Sequence, residues 1–444
     1  MAMSTENLVE LVKRAGIVGA GGAGFPTHVK IDAVVDTVIV NGAECEPLLR
    51  VDQLLMDARA DDMLKALEAV RTHTQAKEAI IGLKKKYGPA IETLTKKLVD
   101  YPNIRLHILE NFYPAGDEQS LVYETTKRIV PEGGIPLNVN ALVINVETLI
   151  GIHDIMEKNK PVTDTYVTLT GEVKHPMTVC VPLGITVREA LELAGGPTIT
   201  QYAVVNGGPM MGKIVDPEST ITKTTKGLIV LPLDHHIVES KNRSLSKSLK
   251  DAAVACMQCN LCTEVCPRYN IGHAMEPHKL MRLAAYASTC DMTTQATNAF
   301  LCCECALCQY ACVMDLQPWK FHIHLKRELS SRGIKNPHHR QPEKANEFIS
   351  SLHFNVKRLI SRLDLEDYDG AAPLTSIDRT FDKVKILLSQ HIGAPAQPVV
   401  TVGDSVNKGD LIGEIPEGAL GARIFASIPG KVTAVENGSI TIQS

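Results

Sequence analysis

Ten of the twelve cysteines lie between Cys256 and Cys312, and their spacing is the strongest chemical signal in the chain. Cys256, Cys259, Cys262 and Cys266 follow C-x2-C-x2-C-x3-C and are closed by Pro267. Cys302, Cys305, Cys308 and Cys312 repeat the spacing, with Val313 in place of the proline. Three thiolates so spaced wrap one face of a [4Fe–4S] cubane, and the fourth thiolate of such a run crosses to a neighbouring cluster. Two clusters are therefore expected, one on Cys256, Cys259, Cys262 and Cys312, the other on Cys302, Cys305, Cys308 and Cys266. Zinc is the plainer alternative, but zinc sites use separated C-x2-C pairs or mix in histidine, and they have no reason to repeat a three-plus-one spacing. Cys303 reads as a spare thiol and Cys290 as an ordinary buried one.

A second candidate centre lies near the N-terminus, in GIVGAGGAGFPTHVK over residues 16–30. Glycines at 19, 21, 22 and 24 let backbone N–H groups approach a phosphate, with Lys30 as a countercharge. No G-K-[ST] follows, so this is not a Walker loop. On its own the loop is equally a structural turn. Three strand-like runs nearby end in polar loops: AVVDTVIVN before Gly-Ala-Glu44-Cys45-Glu46-Pro47, IRLHILEN before Tyr113-Pro-Ala-Gly116-Asp117-Glu118, and ALVIN before Val-Glu147-Thr148. Ligands of open α/β sheets bind at the carboxyl ends of strands, so three such ends and a glycine loop favour a cofactor pocket.

The elements that must carry these residues form more than one unit. A chain of 444 residues exceeds one ordinary domain, and roughly three or four are expected. Hydrophobic content of 44% with only 4% aromatics means aliphatic cores. A net charge of −4 gives no footing for nucleic acid. The sequence holds no apolar run long enough to span a membrane and no secretory signal. Clustered thiolates without such a signal suit a reducing, cytoplasmic setting.

Taken together, GAGGAGFP, the acidic loop, the G-[DE]-E segment and N-V-E-T resemble, in order, the NADH- and FMN-binding flavoprotein subunit of respiratory NADH dehydrogenase. The N-G-A-E-C-E-P loop is similar to two closer families, the C subunit of the Rnf electron-transport complex and the cobalamin reductases of propanediol-utilisation microcompartments. The resemblance implies that Gly21, Gly22, Gly24 and Lys30 hold the FMN phosphate. It implies that Asn41 and Glu44 lie around the ribityl chain and ring, and that Tyr113, Gly116, Asp117, Asn145 and Thr148 supply further flavin contacts. Phe25, Glu46 and Glu118 match positions beside NADH, where the two glutamates, the candidate catalytic residues, would orient the nicotinamide rather than exchange protons. The chain departs from the respiratory family at Ala43, where that family has Asp, and at Ile144, where it has Asn.

The fold expected is a multidomain α/β chain. An FMN/NADH-binding α/β domain spans 1–160 and a β-grasp soluble-ligand-binding domain 161–245. An α-helical ferredoxin domain for two clusters spans 246–330, with EPHKLMRLAAYAS as a helix between the cysteine runs. A helical linker spans 331–380, and a biotinyl/lipoyl-like barrel-sandwich hybrid 381–444. The hairpin IPEGALGA of that last domain has no lysine, so a structural or docking module is expected rather than a swinging arm.

The function implied by the resemblance is NADH-dependent electron transfer through FMN and two [4Fe–4S] clusters to cobalamin, inside a bacterial microcompartment. That would reactivate a B12-dependent diol dehydratase, with an adenosyltransferase and shell proteins as neighbours. Two alternatives stand beside it: an Rnf-like module feeding an electron-accepting protein, and a non-catalytic cluster relay that would need the cysteines but not Lys30, Glu46 or Glu118.

Overall fold

The computed structural model describes residues 7–286 and 293–444; Cys290 lies outside them. The first unit is an α/β layer. Strands β1 (Thr37–Gly42), β2 (Glu78–Lys84), β3 (Ile104–Leu109) and β5 (Ala141–Asn145) form a parallel sheet in the order β3-β2-β1-β5, and β4 (Phe112–Tyr113) stands apart from it. The near-continuous apolar runs of β1, β2 and β5 are what strands covered on both faces require, while edge strand β3 exposes Arg105 and Ile108. Val38 and Val40 face one core with helix Ala60–His73, while Ile39 faces another with Leu121 and Val122 of helix Glu118–Thr126. The expected departures, Ala43 and Ile144, are buried in these cores. The amphipathic stretch before the glycine loop is helix Leu8–Arg14, and its Val12 is fully buried in the first core.

The strand order fixes the site. The chain runs outward from β1 through β2 to β3, then returns to place β5 on the other side of β1. Crossovers therefore leave β1 and β5 in opposite directions and open a crevice at their carboxyl ends, where ligands bind in such sheets. Asn41 and Asn145 are register partners there.

The β-grasp unit follows. Strands β6 (Asp164–Gly171), β7 (Met177–Pro182), β8 (Tyr202–Asn206), β9 (Lys213–Val215) and β10 (Gly227–Pro232) form a mixed sheet with β6 and β10 parallel. Helix Val187–Leu193 packs into its core and is started by a capping box between Thr186 and Glu189. In the next unit, helices Leu245–Ala255, Pro277–Tyr286 and Pro318–Ser331 frame the cysteine runs; the helix expected between the runs is the second of these.

Residues 331–380 carry short helices Ile349–Leu352 and Val356–Arg362, but also β11 (Phe354–Asn355), which pairs with β4, and β12 (Leu374–Thr375), which adds an edge to the β-grasp sheet. The segment thus straps the units together rather than hanging between them. The C-terminal strands form two small sheets, and Ile386, Ile412, Ile424 and Ile440 share one core with Val167, Val181 and Leu228 of the β-grasp unit. Among the described residues no helix is long and apolar enough to cross a membrane.

Candidate functional site

The crevice at the ends of β1 and β5 is flanked by the glycine loop and by the loop that carries Gly116. The glycine loop lies over β5: a Cβ on Gly21 would stand 2.3 Å from Asn145 Nδ2, so only glycine lets the loop come this close. The Ala20 amide donates to Thr148 Oγ1 at 3.1 Å, which anchors the loop, while Gly21 and Gly22 are exposed at its tip. Asn41 Nδ2 donates to Gly116 O at 2.8 Å, and a Cβ on Gly116 would lie 2.8 Å from Asn41 Oδ1 and 2.9 Å from Cys45 Sγ. Gly24 sits at φ +73°, with Gln390 O 3.1 Å from where its Cβ would be, and its carbonyl accepts from the Ile392 amide at 3.2 Å. The C-terminal barrel therefore braces the base of the glycine loop.

The acidic residues divide by use. Glu118, at the start of its helix, is ion-paired with Lys30 at 2.7 Å, with both side chains partly open to solvent. Phe25 is half-buried at the end of the glycine loop, just before helix Thr27–Ile31, which carries Lys30. Glu44 and Glu46, expected around the flavin and beside the nicotinamide, both accept from backbone amides. Glu44 accepts from the Asp52 amide at 3.2 Å, at the start of helix Val51–Ala58. Glu46 accepts from the amides of Met210 and Met211 at 2.9 and 2.8 Å, pinning the loop after β8. Burial raises the Glu46 carboxyl above its usual range, and the two amides only partly offset it. These carboxylates are committed to backbone amides, an attachment reaching 164 residues for Glu46 that sequence spacing does not display. Between them, burial pushes the Cys45 thiol up to about 11.

The eight motif cysteines fall into two sets. The thiols of Cys256, Cys259, Cys262 and Cys312 line an open recess of about 380 Å³. In the second set Cys302, Cys305 and Cys308 each feel the Cys266 thiol, and Cys303 acts on Cys302 and Cys305 as well. Each set takes three members from one run and the fourth from the other. Both runs share an uncommon backbone: Gln258 and Asn260 have φ +56° and +71°, and their counterparts Glu304 and Ala306 both have φ +62°. Non-glycine residues adopt left-handed φ at a cost. The same choice at matching positions turns successive amides inward, as loops that cradle a polyanionic group do. Both runs therefore fit cubane clusters. Zinc would not call for this cradle twice.

The two centres meet. Tyr113, 1% exposed, donates its hydroxyl to Cys305 O at 2.8 Å. Asp117 caps helix Glu118–Thr126 by accepting from the Ser120 amide at 3.0 Å and forms a two-pronged ion pair with Arg268, two residues beyond Cys266. Cys303 lies between Cys305 and this pair. The second set is nearly closed, with Cys266, Cys305 and Cys308 at most 9% exposed. In the first set Cys259 reaches the surface among exposed Met257, Val313 and Met314. Tyr113 thus ties the α/β unit to the buried set, and the open set is the one that reaches the surface.

Comparison with known families agrees with this division. The Nuo51 FMN-binding domain matches residues 12–154, the SLBB domain 166–213, the 4Fe-4S dicluster domain 255–317 and the RnfC barrel sandwich hybrid domain 372–444. Cobalamin reductase PduS of Citrobacter freundii is 42% identical over 98% of this chain and 96% of its own length. The protein of the same name from Salmonella typhimurium is 41% identical over 100% and 97%. The C subunit of the Na(+)-translocating ferredoxin:NAD(+) oxidoreductase complex of Acetobacterium woodii is 32% identical over 60% of this chain and 58% of its own.

Proposed function

The chain belongs to the cobalamin reductase PduS family, and on that footing we propose that this oxidoreductase draws electrons from NADH and delivers them to the cobalt of cobalamin through FMN and two [4Fe–4S] clusters. The observation that supports the reading is that Tyr113 of the α/β unit donates its hydroxyl to Cys305 O of the buried cysteines, while Cys259 of the other set reaches the surface. When bound, FMN would supply the step from one hydride, two electrons at once, to single electrons that the clusters can carry.

The residues divide the remaining work. Gly21, Gly22 and Gly24 bring backbone to the flavin phosphate, with Lys30 as its countercharge. Asn41, Gly116, Asn145 and Thr148 shape the crevice. Glu118 orients the nicotinamide and pairs with Lys30 in the absence of the phosphate. Glu44 and Glu46 act as positioning residues, fixing the acidic loop against its helix and against the Met210–Met211 loop. Tyr113 and Asp117 hold the cluster unit against the crevice. The open cysteine set faces the acceptor.

The family footing and the clustered thiolates support a place in the cytoplasm, inside a bacterial microcompartment, with an adenosyltransferase and shell proteins as neighbours. The likeness to the C subunit of a ferredoxin:NAD(+) oxidoreductase complex favours a second reading, in which the open set feeds an electron-accepting protein instead.

The test is NADH-driven reduction of aquacobalamin by the anaerobically reconstituted chain, followed in the visible spectrum against free FMN with NADH. A rate well above that control supports the reading. Flavin and cluster bleaching with cobalamin untouched sinks it in favour of the second.

A further inference from the structure

Helix Pro318–Ser331 lays one stripe along the buried cysteine set. The Trp319 amide acts on the Cys308 thiol. Two turns on, Lys326 Nζ donates to Cys302 O at 2.5 Å and to Glu304 Oε1 at 2.7 Å. Between them stands His322, three residues after Trp319 and four before Lys326, on the same helical face. Its neighbours Phe321 and Leu325 pack with Cys266 and Cys302 in one core. His322 is 0% exposed, and among the described residues neither of its ring nitrogens has a hydrogen-bond partner.

A buried polar side chain without a partner calls for an explanation. An imidazole left this way in a packed core loses the hydrogen bonds it makes in water, where a leucine would lose none. Its position between the groups that reach Cys308 and Cys302 supplies the explanation. A cubane sulfur is an acceptor, and an imidazole always carries at least one N–H. We propose that His322 donates an N–H to a sulfur of the cluster held by Cys302, Cys305, Cys308 and Cys266, and so raises that cluster's reduction potential. The proposal rests on the reading that this set holds a cluster. The direction follows from charge: a donor to sulfur stabilises the more negative, reduced state, and such hydrogen bonds are among the factors that set cluster potentials. By contrast His278, which lines the open recess, already pairs with Thr263 Oγ1 at 2.8 Å. His322 thus acts only on the buried cluster and favours electrons entering it from the flavin side.

The test is a redox titration of the full reconstituted chain, monitored by EPR, for wild type, His322→Leu and His322→Gln. Iron and sulfide content are measured on each sample. In His322→Leu one of the two midpoints should fall while the other stays, and His322→Gln, which keeps a donor, should return part of the shift. Full cluster content with both midpoints unmoved in His322→Leu would overturn the proposal. Should His322→Leu fail to load, pulsed EPR of the reduced chain labelled with 15N-histidine decides. A histidine nitrogen coupling that persists in His278→Gln supports the bond, and its absence overturns it. Iron content of a single cluster in wild type would instead sink the premise, and the proposal with it.

Discussion

Arg268 grips Asp117 across 151 residues of sequence, with Nη2 2.8 Å from Oδ1 and a second contact from Nη1. One partner follows Cys266 and the other caps the helix at the flavin crevice, so this pair sets how the cluster unit meets the α/β unit. Burial by itself would raise the Asp117 carboxyl, but the guanidinium and Ser120 outweigh it and hold the pKa below the usual range. Removing one partner of such a buried pair costs about 3–5 kcal/mol. Arg268→Ala should therefore melt well below wild type and slow the passage of electrons from flavin to clusters. Arg268→Met with Asp117→Asn should regain part of the stability, as a double-mutant melting series would reveal.

Glycine positions separate fit from fold. Gly116→Ala would push on Asn41 and Cys45, so it should lower FMN retention on gel filtration and lower the melting temperature as well. Gly22 has open space around its Cβ position, with nothing within 4 Å. Gly22→Ala should leave the melting temperature unchanged, and should weaken FMN binding if the phosphate lies there. Equal FMN retention in Gly22→Ala and wild type would move the phosphate away from the loop tip.

The Lys30–Glu118 pair is partly exposed, its side chains being 22% and 43% accessible, and pairs near the surface contribute about 0–1 kcal/mol. Neither Lys30→Ala nor Glu118→Ala should change the melting temperature much. Lys30→Ala should weaken FMN binding, and Glu118→Ala should raise the KM for NADH. A large loss of stability in either variant would mark the pair as structural.

Asp52 gives a pH signature. Burial first, then the nearby Glu44, push its carboxyl well above the usual carboxylate range, and its Oδ1 has no partner among the described residues. Between about pH 4, where an unfolded Asp ionises, and neutrality, the folded chain keeps a proton that the unfolded chain has lost. Stability from this group is thus complete in acid and falls as pH rises. Asp52→Asn should flatten that fall, which melting curves from about pH 5 to about pH 8 would register.

The sequence made the chemistry legible where ligands are local. The cysteine spacing, the glycine loop and the polar ends of β1, β3 and β5 are all short-range patterns, and the parallel sheet follows from its apolar runs. Residues whose partners are distant were not legible. Nothing in N-G-A-E-C-E-P shows that Glu46 also ties down the distant Met210–Met211 loop. Arg268 is one more basic residue until Asp117 arrives. The strap over 331–380 is built from two-residue strands, too short to leave a periodic trace. His322 carries no motif at all; only its burial and its orphaned nitrogens single it out.

The most direct test of the electron path is a single-turnover experiment in which the reconstituted, anaerobic chain is mixed with NADH and aquacobalamin while flavin, cluster and cobalt absorbances are followed together. Flavin reduction should come first, cluster bleaching next and cob(II)alamin last, and Cys305→Ser, still loaded with FMN, should reduce its flavin but not the cobalamin. Cobalamin reduction at the wild-type rate in Cys305→Ser would contradict the path, because electrons would then leave from the flavin and the cysteines would be idle.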